Sequence, residues 1–438
     1  MTLTTTQTEL HSVLDEFRWR GMVHRTEDDK ELFTPGLEEL LGKEKVTAYI
    51  GFDPTADSLH VGNLLQIMNL VRLQRFGHNP IAIVGGGTGL VGDPSGKTTE
   101  RQLLTREDLA HNLECIREQL ARYLDFRAGN AARMVNNADW LDTIKLMDFL
   151  RDIGKHFTVN YMLDKDSVQG RMAGGISFTE FSYMLLQAYD YYKLHVNYGC
   201  NLQVGGSDQW GNITAGIDLI RKLTGHQAHA LVTPLITTST GVKFGKTEAG
   251  AVWLDAKKTS PFKFHQFWYN TPDADVVRYL HYFALLTQEE MAQIAEVVAE
   301  RPERREAQTR LADDVTRMTH GEAALQKAKR ASAVLFGGDM AGLSALELLE
   351  VFQDVPSVTL PKQRLEGEGV AVVDLATETG LAPSRAEARR LVQSGGVSLN
   401  GQRVTDVRRA VTLADAVEGN VLVLKRGARE HRLVKLQG

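Results

Sequence analysis

The chain changes its hydrophobic period sharply between residues 46 and 73. Residues 46–52 are a continuous apolar run and read as a buried strand, whereas Leu64, Leu65, Ile67, Met68, Val71 and Leu73 recur at helical spacing. Between these two patterns runs Y-I-G-F-D-P-T-A-D-S-L-H-V-G-N, residues 49–63, which places His60 and Asn63 where a strand-loop feeds a helix N-terminus. That end of a helix presents free N–H groups and partial positive charge, a ready site for a phosphate. Gly51 and Gly62 carry no side chain and allow a ligand close to the backbone. An Asp-Pro stretch is also an ordinary turn, and a single histidine at a helix start is also an ordinary cap.

The alternation continues. Residues 80–85 (P-I-A-I-V-G) read as a second strand, 106–123 as a helix, 133–136 as a strand, 179–192 as a helix, 201–205 as extended, 207–223 as a helix and 230–237 as a last strand. Upstream, residues 1–45 read as helix and connector, with Leu10, Val13, Leu14 and Phe17 on one face. Strands alternating with helices imply an α/β fold, a parallel sheet with helices on both faces. Ligands of such sheets bind beyond the strand C-termini, the edge on which residues 49–63 and 85–99 fall. Residues 137–178 read as an insertion ending in G-R-M-A-G-G and then Ile176 and Phe178. After a Gly/Lys-rich loop at 239–250 the pattern becomes almost wholly helical to about residue 352. A linker at 353–369 and a compact α+β unit at 370–438 follow.

Composition narrows the function classes. No run of about 18 apolar residues is present, so no membrane helix is expected. The N-terminus M-T-L-T-T-T-Q-T-E-L-H lacks the basic and apolar regions of a secretory signal. Cys115 and Cys200 are the only cysteines, which argues against a disulfide framework or a Cys-rich zinc site and suits a reducing, cytoplasmic setting. The net charge of −5 does not announce a nucleic-acid binder, but from Ser384 to Gly438 there are 11 Lys or Arg against 5 Asp or Glu. Such a local basic face is either an electrostatic footprint for nucleic acid or a solvated surface.

Residues 85–99, G-G-G-T-G-L-V-G-D-P-S-G-K-T-T, carry two partial motifs. Gly87, Gly89 and Gly92 fit G-x-G-x-x-G, but D-P-S-G-K-T-T-E-R follows where a dinucleotide fold needs an apolar helix. Residues 92–98 are one residue short of a P-loop, because Val91 occupies the place of the first glycine. Further on, Tyr183, Gln187 and Asp190 share one predicted helix face at i, i+4, i+7 among Phe178, Phe181, Met184, Leu185 and Leu186. That face is either a partly buried polar site or the wet side of a helix.

Several of these stretches match one known family, in order. His60-Val61-Gly62-Asn63 resembles the HIGH signature of class I aminoacyl-tRNA synthetases, with Asn63 in place of the second histidine. G-F-D-P-T-A-D-S-L-H and G-D-P-S-G-K are similar to stretches of bacterial-type tyrosyl-tRNA synthetases, and Lys243-Phe244-Gly245-Lys246-Thr247 resembles the KMSKS signature. Residues 381–401, L-A-P-S-R-A-E-A-R-R-L-V-Q-S-G-G-V-S-L-N-G, resemble the S4 RNA-binding module.

The resemblance covers nearly the whole chain. It implies a Rossmann-like catalytic domain over 1–247 with a dimer-forming insertion at about 137–178, and an α-helical anticodon-binding domain at 248–352. The linker 353–369 and an S4 domain at 370–438 complete it. It implies activation of L-tyrosine by ATP, with Mg²⁺ accompanying the nucleotide and no resident metal or tightly bound cofactor, then transfer to tRNA(Tyr) by a homodimer. His60, Thr55, Lys97, Arg101, Lys243 and Lys246 become the catalytic candidates. Tyr49, Asp93, Tyr183, Gln187, Asp190 and Gln203 become the tyrosine contacts, with Tyr49 and Asp190 on the phenol and Asp93, Tyr183 and Gln187 at the amino end. Asp53, His60, Asn63, Gly206, Asp208, Gln209 and Lys246 are the ATP candidates, Gln209 also standing near the substrate carboxylate. Asp208 also reads as a plain helix N-terminal carboxylate. Arg385, Arg389 and Arg390 fall on one helix face as phosphate-facing cations. The rivals are a tryptophanyl enzyme, which shares the sheet, and a non-catalytic RNA-binding relative, expected to have lost His60 or the Lys loop.

Overall fold

The computed structural model describes residues 12–93, 104–172, 174–239, 244–247, 250–334, 340, 342–353, 355–427 and 430–438. Lys97, Arg101 and Lys243 lie outside the described residues. The chain divides into two compact units, Met1–Thr259 with Tyr269–Thr319, and Ser260–Trp268 with His320–Gly438.

The first unit is built on a parallel five-stranded sheet, β1 Thr47–Phe52, β2 Asn79–Val84, β3 Arg133–Asn136, β4 Cys200–Gly206 and β5 His229–Thr233, in the order β3-β2-β1-β4-β5. These are the strands that the apolar runs predict. The last stops at Thr233 rather than 237, because Pro234 has no N–H for the ladder. Tyr49 and Ile81 face a cluster with Met184, Leu185, Ala188, Tyr191, Ala215 and Leu219 from helices Phe178–Tyr198 and Trp210–Thr224. Helix Leu64–Arg75 packs along β1, β2 and β4. Helix Phe178–Tyr198 runs past the expected residue 192 and stops where Gly199 takes the left-handed backbone, φ 64°.

The segment 248–352, expected as one helical domain, is shared between the units. Helix Asp273–Phe283 packs on Leu64–Arg75, and its C-terminal carbonyls are met by two buried arginines. Arg20 donates to His281 O at 3.0 Å and Leu286 O at 2.7 Å, and Arg72 donates to His281 O at 3.0 Å and Ala284 O at 3.1 Å. In the second unit, by contrast, Phe262 packs in a cluster with Val334, Leu348, Phe352, Val421, Val423 and Leu433.

The second unit holds a five-stranded sheet in which Val421–Arg426 and Glu430–Gln437 are central neighbours. The expected linker 353–369 departs from expectation. Within it, Ser357–Pro361 is an edge strand paired parallel to Glu430–Gln437. The alternation of S-V-T-L-P explains this, since Val358 and Leu360 both pack into the apolar cluster beneath the sheet. Among the described residues no helix is long and apolar enough to cross a membrane.

Candidate active site

The sheet's C-terminal edge gathers the predicted residues of the first unit. Tyr49 in β1 lies directly opposite Gln203 in β4, so their side chains emerge on the same face of adjacent strands. Tyr49 is 2% exposed and Gln203 4%, and neither the Tyr49 hydroxyl nor Gln203 Oε1 has a hydrogen-bond partner among the described residues. Buried polar atoms are rarely left so, which makes the pair a place for a ligand's own polar groups.

Asp190 lies close to Tyr49. Trp140 Nε1 donates to its Oδ1 at 2.7 Å and Asn137 Nδ2 to its Oδ2 at 2.9 Å. Burial pushes its carboxyl up to about 7, against the pull of those two donors. Burial, and after it the nearby Asp190 charge, holds the Tyr49 phenol well above its usual range. Asn137 also donates to Thr88 Oγ1 at 2.9 Å, and its Oδ1 accepts from Gly87 N at 2.8 Å. The glycine loop therefore has the Gly87 amide turned to Asn137.

A second polar group sits beside this pocket. Gln209 Nε2 donates to Asp93 Oδ2 at 2.8 Å, Gln187 Nε2 donates to Gln209 Oε1 at 3.2 Å, and Asn212 Nδ2 donates to Gln187 Oε1 at 3.1 Å. Asp93, Gln187 and Gln209 are thus brought together, with Tyr183 buried one turn before Gln187 on the same helix. Gln209, expected near ATP and the substrate carboxylate, is bonded to two side chains expected at the amino end, Asp93 and Gln187. Asn137, Trp140, Thr88 and Asn212 were not singled out by the sequence. For Asn137 a signal existed, its position immediately beyond the C-terminal end of β3 at the sheet's ligand edge.

The two signature stretches meet. His60 precedes a 3₁₀ turn, Val61–Asn63, and its Nδ1 accepts from Gly62 N at 3.1 Å, while its own N–H donates to Asn63 Oδ1 at 3.1 Å. Asn63 thereby pins the loop from the position of the missing histidine. With Nδ1 accepting, the neutral ring carries its proton on Nε2. Trp253 stands 6.0 Å from the His60 ring, and Val61 N donates to Val252 O at 2.9 Å. Val252 N in turn donates to Gly245 O at 3.2 Å, which joins the second signature to the first. Of Lys246, the backbone lies in a short strand, Lys246–Thr247. Asp53 is half-buried and Thr55 exposed in the turn after β1, where Thr55 N donates to Asp53 O at 2.9 Å. Gly206 ends β4, and Asp208 is exposed in the 3₁₀ turn that follows.

In the second unit, Arg385, Arg389 and Arg390 are exposed on helix Arg385–Gln393. Arg385 is paired with Asp374 at 2.6 Å and Arg390 with Glu387 at 2.8 Å.

A parallel sheet whose C-terminal edge carries a histidine turn, with Gly245 of the second signature resting on that turn, is the arrangement of a class I aminoacyl-tRNA synthetase. The family of class I tRNA synthetases for tryptophan and tyrosine matches residues 41–337, and the C-terminal domain of tyrosine–tRNA ligases matches residues 347–434. The chain is 56% identical over 428 residues to the tyrosine–tRNA ligase of Roseiflexus castenholzii, spanning 97% of this chain and 99% of that protein. It is 50% identical over 425 residues to that of Geobacillus stearothermophilus, again 97% and 99%. A solved C-terminally truncated mitochondrial tyrosyl-tRNA synthetase from Aspergillus nidulans superposes with a TM-score of 0.66 at 32% identity, over 75% of this chain and 95% of that one. The chain belongs to this family, on its tyrosine–tRNA ligase branch.

Proposed function

We propose that the chain activates L-tyrosine with ATP, giving tyrosyl-adenylate and pyrophosphate, and then passes the tyrosyl group to the terminal ribose of tRNA(Tyr). The observation that carries this reading is the pocket of Tyr49 and Asp190. A buried hydroxyl without a partner among the described residues stands near a buried carboxylate fixed by Asn137 and Trp140. The phenol of tyrosine complements both, since it can donate to Asp190 and bond to Tyr49. Asp93, with Gln187, Gln209 and Tyr183 around it, supplies the anion and dipoles for the substrate ammonium.

In the first step a carboxylate oxygen of tyrosine attacks the α-phosphorus in line, and the bond to the bridging oxygen of pyrophosphate breaks. Charge builds on the leaving group, so the protein's work is to position and to stabilise charge. His60, Thr55, Lys97, Arg101, Lys243 and Lys246 are assigned to the phosphates, with Mg²⁺ entering as part of the substrate. Asp53, Asn63, Gly206 and Asp208 are assigned to the nucleoside side. In the second step a ribose hydroxyl attacks the acyl carbon and AMP leaves, with Arg385, Arg389 and Arg390 of an S4-type module contacting RNA phosphates. A homodimer formed through the insertion fits its surface, where Leu146, Met147, Val159, Met172 and Phe178 are all at least 50% exposed. A cytoplasmic location goes with this function.

Pyrophosphate exchange with each amino acid in turn tests the reading. Exchange with tyrosine alone is expected; exchange with tryptophan, or with none, would refute it.

A further inference from the structure

The second signature loop is held on both sides, through Phe244, Gly245 and the stem residues Thr237 and Ser239. Phe244 is 7% exposed, and its ring lies 4.9 Å from the Tyr279 ring, edge to face, and 5.8 Å from the Phe283 ring, stacked. Both partners belong to helix Asp273–Phe283. The next residue, Gly245, takes the left-handed backbone at φ 82°, and a Cβ there would stand 2.8 Å from Val61 Cγ2 and 3.2 Å from Gly62 N. Only glycine lets the loop rest on the backbone of the first signature at this point. The stem entering the loop is tied to the same helix. Ser239 donates to Asp275 from its N–H at 3.1 Å and its hydroxyl at 3.0 Å, and Tyr279 Oη and Arg278 Nη2 donate to Thr237 O at 3.2 and 2.9 Å.

Helix Asp273–Phe283 is itself immobilised against the first signature's helix by Arg72, which donates to its last carbonyls. One helix therefore registers both signatures. A lysine carries a compact charge on a flexible four-carbon stem, so where that charge falls depends on where its backbone is held.

We propose that Phe244 is a positioning residue for adenylate formation. Its ring, seated on Tyr279 and Phe283, anchors the loop so that Gly245 lies on Gly62 and the backbone of Lys246 is fixed relative to His60. The proposal rests on the assignment of Lys246 to the phosphates. It differs from a packing role in what it moves: misplacing a charged group by about 1 Å costs about a hundredfold in rate, with no need for a change in tyrosine binding or in folding.

The test uses the full-length enzyme and compares Phe244→Ala, Phe244→Leu and Lys246→Ala by pre-steady-state adenylate formation, tyrosine affinity at equilibrium and thermal midpoint. Phe244→Ala is expected to slow adenylate formation by about a hundredfold while tyrosine affinity stays within about twofold, and Phe244→Leu to recover most of the rate. A Phe244→Ala enzyme forming adenylate at close to the normal rate overturns the proposal, as does a parallel loss of rate and tyrosine affinity. If Lys246→Ala also reacts normally, the assignment of the loop to the phosphates fails as well; if Lys246→Ala alone is slow, only the anchor fails. Should Phe244→Ala be poorly folded, Phe283→Leu, which trims the seat and leaves the loop sequence intact, is expected to slow adenylate formation with the same selectivity, and a normal rate there overturns the proposal.

Discussion

Asp190 and Glu16 are both interior carboxylates of the first unit, 4% and 7% exposed, and their surroundings differ in kind. Glu16 sits between cations. It is ion-paired with Arg20, and Arg72 Nε stands 3.7 Å away. Arg20 and Arg72 Nη2 reach the carbonyls at the end of helix Asp273–Phe283, while Arg72 Nη1 donates to Met68 O at 3.4 Å. Asp190 is held instead by two neutral donors, Asn137 and Trp140, and its neighbour Tyr49 has a hydroxyl without a partner among the described residues. Opposite charges that satisfy one another inside a protein leave little for a ligand to do. A carboxyl fixed by neutral groups, its pKa raised, beside a hydroxyl without a partner among the described residues, fits the proposed role in substrate recognition.

The comparison breaks most directly by removing one partner from each cluster. Arg72→Ala leaves a buried carboxylate with half its compensation and the carbonyls of His281 and Ala284 with fewer donors, so a loss of about 3–5 kcal/mol in unfolding free energy is expected. Asp190→Asn should do the reverse, abolishing tyrosine activation while leaving stability equal or higher near pH 8. The sign follows from the raised pKa. Between about 4, the unfolded value, and about 7, the folded value, the folded state binds more protons, so stability falls as pH rises through that window. Asparagine removes that penalty. Denaturant titrations of both variants decide it; an Asp190→Asn protein as destabilised as Arg72→Ala would erase the distinction.

The same pKa sharpens the comparison in binding. Tyrosine affinity should rise with pH up to and through about 7, as Asp190 becomes the acceptor for the phenol. Asn137→Ala removes a donor that lowers this pKa, so the midpoint should move upward. Calorimetric titration across pH 6 to 9 reads both, and a flat profile would contradict the role given to Asp190.

Smaller effects belong to the surfaces. Phe178→Asp should weaken the proposed dimer, because a charge without a partner is costly to bury, yet leave each protomer folded, since Phe178 is 78% exposed. Sedimentation at low concentration checks it, and an unaltered dimer would place the interface elsewhere. Among the basic residues of the second unit, Arg389→Ala should reduce the salt slope of tRNA binding by about 1. Arg385→Ala and Arg390→Ala should do less, because Asp374 and Glu387 already pair with those two side chains. Pyrophosphate exchange should be unchanged in all three.

Much of this was legible in the sequence because it follows from short-range pattern. Apolar runs placed β1 to β5, although the last was read to 237, past Pro234, and the spacing of Tyr183, Gln187 and Asp190 put them on one helix face. What was not legible depends on contacts between residues distant in sequence. The place of Asn137 just beyond β3 marks it as near the ligand edge but does not announce that its side chain bonds Gly87, Thr88 and Asp190 at once. Gln209 is adjacent to the expected ATP contacts in sequence and adjacent to Asp93 in space. The stretch 353–369 reads as a linker because its strand is short, and only pairing with Glu430–Gln437 makes it part of a sheet.

The central claim is that Tyr49 and Asp190 together read the phenol of the substrate. Its most direct test is pyrophosphate exchange by Tyr49→Phe with tyrosine and with phenylalanine. Phenylalanine in the native pocket leaves a buried hydroxyl unpaired, and Tyr49→Phe removes that hydroxyl, so discrimination should erode by about 1 kcal/mol or more. A Tyr49→Phe enzyme that discriminates against phenylalanine as well as the wild type would contradict the claim.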